Sequence, residues 1–137
     1  MFPFEFAIDG IPISANVKYR TGKAKAVYRN WVEYVRRSAA LRWLPDTPPA
    51  TEAISVELRY FYSQHHARDA DNIAKPIRLV KLVYVDDSQI TDLIIRKCNL
   101  ATRLRFPQIS PLLAEKIEAG KDFVYVKIEL STVEDFG

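Results

Sequence analysis

Apolar residues recur along the chain with two periods, and the switches between them mark out the elements. Phe2, Phe4, Phe6 and Ile8 alternate with other residues and stop at Asp9-Gly10, which predicts a strand closed by a turn. Residues 11–22 show no period and read as a loop. From Ala24 to about Trp43, Val27, Trp31, Val35 and Ala39 fall on one helical stripe, with Lys25, Arg29, Arg36 and Arg37 away from it. This predicts an amphipathic helix with a basic side, ended by the proline-rich stretch 45–49. Ile54, Val56, Leu58, Tyr60 and Tyr62 then alternate with Ser55, Glu57 and Arg59, the pattern of a strand with one buried face.

The second half is read in the same way. Ala70 to Leu79 predicts a short helix, in which Pro76 is tolerated only if it falls in about the first turn, and Val80–Val85 its end followed by a short strand. Ile90–Cys98 predicts a strand whose inward face the alternation leaves open, because both sets of positions contain apolar residues. Ser110-Pro111, followed by Leu112, Leu113 and Ile117 and stopped by Gly120, predicts a capped helix. Val124, Val126, Ile128 and Leu130 form the inward side of a last strand, with Tyr125, Lys127 and Glu129 outward. The expected fold class is α+β: residues 1–137 as a single domain, a mixed β-sheet with helices packed on it.

Composition narrows the function classes. The chain has 137 residues, ample for one core, and 48% hydrophobic with 27% charged residues is ordinary for a globular protein. No apolar run approaches the roughly 20 residues that cross a bilayer. The N-terminal residues show no signal-peptide pattern, and Cys98 is the one cysteine, which excludes an intrachain disulfide and a cysteine-rich zinc site. These features give no membrane association and a cytoplasmic location as the expectation.

Charge is unevenly distributed. Residues 16–42 carry eight Lys/Arg (Lys18, Arg20, Lys23, Lys25, Arg29, Arg36, Arg37 and Arg42) against the single Glu33, in a chain whose net charge is only +3. Arg96, Lys97, Arg103 and Arg105 form a second basic cluster. Between the clusters lies an acidic one: Arg68-Asp69-Ala70-Asp71-Asn72-Ile73-Ala74-Lys75, then Asp86-Asp87. Basic surface beside a carboxylate nest points to a polyanionic partner, nucleic acid.

The acidic residues suggest their own chemistry. A D-x-D pair places two hard oxygen ligands close enough to share a divalent cation, and Lys75 lies one helical turn after Asp71 if a helix starts there. Magnesium prefers oxygen ligands and keeps several waters, which suits attack of water on a phosphodiester. Three carboxylates at one site repel one another, and a cation removes that penalty.

The D-x-D-N-x-x-K string followed by Val85-Asp86-Asp87-Ser88-Gln89-Ile90 resembles the RusA family of Holliday junction resolvases. The similarity extends in pattern from Gly10-x-Pro12-x-Ser14-x-Asn16 through the basic helix to the final strand. The resemblance implies a small homodimeric endodeoxyribonuclease that uses Mg²⁺ or Mn²⁺ to resolve Holliday junctions by paired nicks, in DNA recombination and repair. It implies Asp69, Asp71 and Asp87 as catalytic metal ligands, Asp86 as a supporting acid and Lys75 as the catalytic lysine. Four-way or branched DNA is then the partner, with Lys18, Arg20, Lys23, Lys25, Arg29, Arg36, Arg37, Arg68, Arg96 and Lys97 as candidate DNA contacts. The basic segment 76–81 is shorter than the family's pattern, which keeps open a non-catalytic branched-DNA-binding module with a degenerate site.

Other readings of the same residues are weaker. An EF-hand fails because Ala74 and Val80 occupy the positions that need Gly and Glu. A D-x-D nucleotidyl- or sugar-transferring enzyme lacks a glycine-rich phosphate loop in a chain with four glycines. His65-His66 reads as a solvated pair beside the motif, since magnesium prefers oxygen. Asn72 fits a helix cap as well as a group orienting an aspartate, and Gln89 a turn as well as a DNA contact. Tyr28, Trp31, Tyr34 and Trp43 suit base stacking, but at helical spacing aromatics more often belong to the core.

Overall fold

The computed structural model describes residues 2–13, 22–63, 73–102 and 109–132. The stretches with period two pair into one mixed four-stranded sheet: β1 (Phe4–Asp9), β2 (Ile54–Tyr62), β3 (Ile90–Asn99) and β4 (Phe123–Leu130). The spatial order is β1-β4-β2-β3. Strand β4 pairs antiparallel with both β1 and β2, whereas β2 and β3 run parallel. The class is α+β, as the alternation of elements predicts.

Helix α1 (Lys23–Ala40) covers one face of the sheet and α2 (Pro111–Ala119) the other. On the α1 face, Phe6, Ile8, Ile54, Leu58, Val126 and Ile128 are fully buried. The buried stripe of α1 is Tyr28, Trp31, Val35 and Ala39. Val27, assigned to that stripe from its spacing, is exposed, and Tyr28 takes its place. The larger side chain fills the space that Arg78 closes from outside, with its guanidinium 6.0 Å from the ring centroid. Of the aromatics considered for stacking, Tyr28, Trp31 and Trp43 are buried, and Tyr34 is exposed. At Gly10 the chain leaves β1 with φ +114, a backbone conformation that side chains with a Cβ rarely adopt, so the turn after β1 favours glycine.

The opposite face is also a core. Phe61 and Phe123 stack with ring centroids 4.6 Å apart, and with Tyr125 they pack against Leu113 of α2. Tyr125 is therefore buried, where alternation alone places it outward. The alternation of β4 predicts two faces but not that a helix covers the second. Helix α2 has the expected caps: Ser110 Oγ accepts from Leu113 N at 3.1 Å, and Gly120 ends the helix in the left-handed conformation at φ 72. Glu5 ties α2 to the sheet by accepting hydrogen bonds from Ser110 Oγ, at 2.7 Å, and from the Tyr125 hydroxyl. Burial, and then the Glu5 carboxylate, push the Tyr125 hydroxyl above its ordinary value, so it stays protonated and keeps donating.

The connection between β2 and β3 departs most from expectation. Among the described residues of the helix expected over 70–79, only 73–74 are helical, and the chain turns at Lys75-Pro76 instead of continuing as a helix to Leu79. Proline disfavours helical backbone in the residue before it, and Ile77 N closes a turn onto Ala74 O at 2.9 Å. Residues 80–85 form no strand; they make isolated bridges at Val80, Tyr84 and Ala50. Leu79 and Val83 point into the α1-side core and hold this irregular segment against the sheet.

Leu58 lies in the central strand β2 and is 1% exposed. Leu58→Ala is expected to lower unfolding free energy by about 2–5 kcal/mol, through lost burial and the cavity left behind. Urea denaturation with an unchanged m-value checks this.

Candidate metal and phosphate site

A sharp turn after the irregular segment positions the second acidic pair. Asp86 is the N-cap of a 3-10 turn, Asp87–Gln89, and its Oδ1 accepts from Ser88 N at 3.0 Å. Gln89 returns the bond: its Oε1 accepts from Val85 N and Asp86 N, each at 2.8 Å. The same amide donates from Nε2 to Ala50 O at 2.8 Å and Glu52 O at 2.9 Å. One side chain thus fastens the acidic turn to the strand that precedes β2. Gln89 is therefore a structural clamp of the site. The D-x-x-Q spacing of a capping box is legible in the sequence.

The two aspartates have different surroundings. In an extended chain, Asp86 and Asp87 would point to opposite faces; the 3-10 turn replaces that geometry. Asp86 is engaged as the cap. Asp87 is exposed, and its Oδ1 accepts from the Tyr84 hydroxyl at 3.1 Å. Burial, with the Asp87 charge second, pushes the Tyr84 hydroxyl well above the ordinary tyrosine value. Tyr84 therefore remains a donor across the working pH range and orients one oxygen of Asp87. Nothing in the sequence pattern singles out Tyr84, because its role depends on a turn that the apolar run 82–85 conceals.

Lys75 and Asp87 line one groove of about 560 Å³. Its floor is the sheet, with Val56, Leu58, Leu93 and Ile95, and its wall is the 74–80 segment. That wall is held from α1: Arg36 donates to Arg78 O at 3.2 Å and to Val80 O at 2.9 Å. Arg78 in turn donates to the Tyr28 hydroxyl at 3.3 Å. Arg36, a candidate DNA contact by sequence, is half-buried and fixes the groove wall.

The other end of the connection is also anchored. Asp122 accepts from Tyr60 OH at 2.8 Å and from Ser63 N and Oγ at 2.9 and 2.7 Å, which fixes the end of β2 just before residue 64. Asp69 and Asp71, with Arg68, Asn72, His65 and His66, lie outside the described residues, as do Lys18, Arg20, Arg103 and Arg105. Among the described residues no three His, Cys, Asp or Glu side chains gather as a metal site. Lys23, Lys25, Arg29 and Arg37 are exposed on α1, and Arg96 and Lys97 are exposed on β3. No helix among the described residues is long and apolar enough to cross a membrane.

The sequence model of the family described as Endodeoxyribonuclease RusA matches residues 11–105, a span that includes α1, β2, the acidic connection and β3. No curated protein matches the chain.

Gln89→Ala removes all four hydrogen bonds of the clamp, and Gln89→Glu keeps the two acceptor bonds but loses the two donations. The expected stability loss for the alanine variant is about 1–3 kcal/mol. Amide hydrogen exchange should accelerate at Val85 and Asp86 in Gln89→Ala and stay slow in Gln89→Glu. Equal protection in both variants would show that the clamp does not hold the turn.

Proposed function

Because the chain belongs to the RusA family of endodeoxyribonucleases, we propose that it is a divalent-metal-dependent nuclease that resolves four-way DNA junctions by paired nicks as a homodimer. The family match carries the reading, and the placement of Lys75 and Asp87 on one groove supports it. The donor set suits a hard cation such as Mg²⁺ or Mn²⁺. Tyr84 engages only one of the two oxygens of Asp87, and the remaining candidate ligands, Asp69 and Asp71, are also carboxylates. Asp69, Asp71 and Asp87 would hold the ion. Asp86 supports them by capping the turn that presents Asp87. The ion, when bound, would supply charge neutralisation at the phosphate and a more acidic water.

The side chains of the protein do the remaining work. Lys75, exposed at the groove, provides a cation for the scissile phosphate or the leaving oxygen. Tyr84 holds one Asp87 oxygen in place without adding charge. Lys23, Lys25, Arg29 and Arg37 present a basic helix surface to duplex arms, and Lys18, Arg20 and Arg68 are further candidates by sequence. The basic segment 76–81, short by the family's pattern, is bound to α1 through Arg36 and still brings Lys75 to the same groove as Asp87. That favours a working nuclease over a degenerate binding module.

Labelled four-way junction, duplex and single strand, each incubated with Mg²⁺ or with EDTA, test this reading. Metal-dependent, symmetric nicking confined to the junction is the expected result; tight junction binding with no nicking in Mg²⁺ or Mn²⁺ would establish the binding module instead. Asp71→Asn should abolish cleavage while junction affinity holds or rises, because a charge that repels phosphate is removed. Lys75→Ala should also abolish cleavage but lower affinity. In Lys25→Ala/Arg29→Ala the log–log dependence of affinity on salt should flatten by about 0.9 for each phosphate that is no longer neutralised. An unchanged slope would mean that this face of α1 is only solvated.

A further inference from the structure

Strand β3 is the last strand on its side of the sheet among the described residues, yet it is long and carries exposed apolar residues on both faces. Leu93 is 50% exposed and Ile94 45%. A ten-residue edge of this kind is a template for pairing with another strand. Its backbone orientation follows from one hydrogen bond: Leu100 N donates to Tyr62 O at 2.9 Å, so the backbone of residue 100 faces β2. Alternation then turns the backbones of Asp92, Ile94 and Arg96 toward β2, and those of Leu93 and Ile95 toward the open edge.

We infer that β3 pairs antiparallel with β3 of a second copy, about a two-fold axis through Ile94. In that register Leu93 lies opposite the partner's Ile95 as a hydrogen-bonded pair. Ile94 lies opposite the partner's Ile94, and Asp92 opposite the partner's Arg96, as non-hydrogen-bonded pairs, whose side chains approach most closely. The edge is therefore self-complementary in charge as well as in apolar character. A shift of two residues in either direction destroys the match. One shift sets Asp92 against Ile94 and the other sets Arg96 against Ile94. Shifts of four residues set Asp92 against itself or Arg96 against itself. An isologous interface with one register closes as a dimer and does not extend into a fibre.

This seam rests on the paired-nicking reading for its functional meaning and gives that reading its geometry. The two-fold axis stands perpendicular to the joined eight-stranded sheet, so both grooves, each with Lys75 and Asp87, open on the same side. Strand β3 begins four residues from the axis, at Ile90. At roughly 3.3 Å per residue the two β3 starts, each next to its own acidic turn, are separated by about 26 Å along the strands. Arg96, a candidate phosphate contact by sequence, becomes a partner contact.

Sedimentation of the full chain without DNA or metal tests the pairing. The parent should be a dimer. Asp92→Arg and Arg96→Asp should each weaken dimerisation roughly tenfold or more by setting like charges opposite one another, and the double swap should restore it. Circular dichroism melting confirms that each variant folds. Ile94→Cys in a Cys98→Ser background should form a reducible symmetric cross-link, since facing Cα atoms about 4.5 Å apart suit a disulfide. Ile95→Cys in the same background should not, because its partner is Leu93. A monomeric parent, a double swap as weak as either single variant, or cross-linking at 95 in place of 94 would overturn the inference. A monomeric parent would leave the edge to an extended segment of another protein. A cross-linked dimer that nicks no junction would retain the seam and overturn the nuclease reading instead.

Discussion

The parallel pairing of β2 and β3 is the constraint on which the candidate site depends. Antiparallel neighbours can be joined by a tight turn, but parallel neighbours need a connection that returns the chain to the starting end of the sheet. Here the connection covers residues 63–89 and contains all four aspartates of the acidic blocks and Lys75. Its first end is fixed where Asp122 binds Tyr60 and Ser63, and its second where Gln89 binds Ala50 and Glu52. Ile54 pairs with both Ile90 and Leu130, so the acidic turn sits at the start of the central strand. Among the described residues, Lys75 and Asp87 are therefore carried by backbone outside the strands, while their position is set by the strands at both ends of the connection.

Helix α1 serves this arrangement in two ways. Its buried stripe fills the sheet face beside β1, and Arg36 reaches past the helix to two carbonyls of the connection. The charge-assisted bonds to Arg78 O and Val80 O satisfy backbone acceptors that the break at Pro76 leaves outside a helix. The basic side of α1 is thus divided. Arg36 serves the fold, as does Arg42 just past the end of the helix by donating to Glu5 O at 2.9 Å, whereas Lys25, Arg29 and Arg37 of α1 are exposed. Net charge over a helix overstates the charge available to a ligand when some of its guanidinium groups are tied to backbone.

Elements with a single strong period were legible from the sequence. The strands β1, β2 and β4, the helix from 23 to 40 and the capped helix at 111–119 follow from alternation, helical spacing and the Ser110–Gly120 caps. Two kinds of position were not. Tyr125 and Phe61 lie on the face that alternation treats as outward, and their burial requires α2 to pack there. The helix expected over 70–79 ends at Ala74, because Lys75, the residue before Pro76, resists helical backbone. Within the site, the sequence motif marks Asp87 and Lys75 as candidates, and the cap spacing marks Gln89, but Tyr84 could be found only once the turn was known. Asp69 and Asp71 remain assignments from the motif and the family.

Segment 76–81 folds into a tight return in the chain. A continuous helix from 70 to 79 would carry Lys75 along a straight axis and leave few residues to return to β3. The break at Pro76, followed by bonds from Leu82 N and Val83 N to Leu79 O and from Lys81 N to Tyr84 O at 2.6 Å, folds the return into a compact double turn. Lys81 takes φ 68 to make the reversal, a conformation that a side chain with a Cβ adopts at some cost. The buried side chains of Leu79, Val83 and Tyr84 offset that cost by anchoring the turn in the core. A connection folded in this way keeps Lys75 and Asp87 on one groove, the placement that the proposed phosphate chemistry would use.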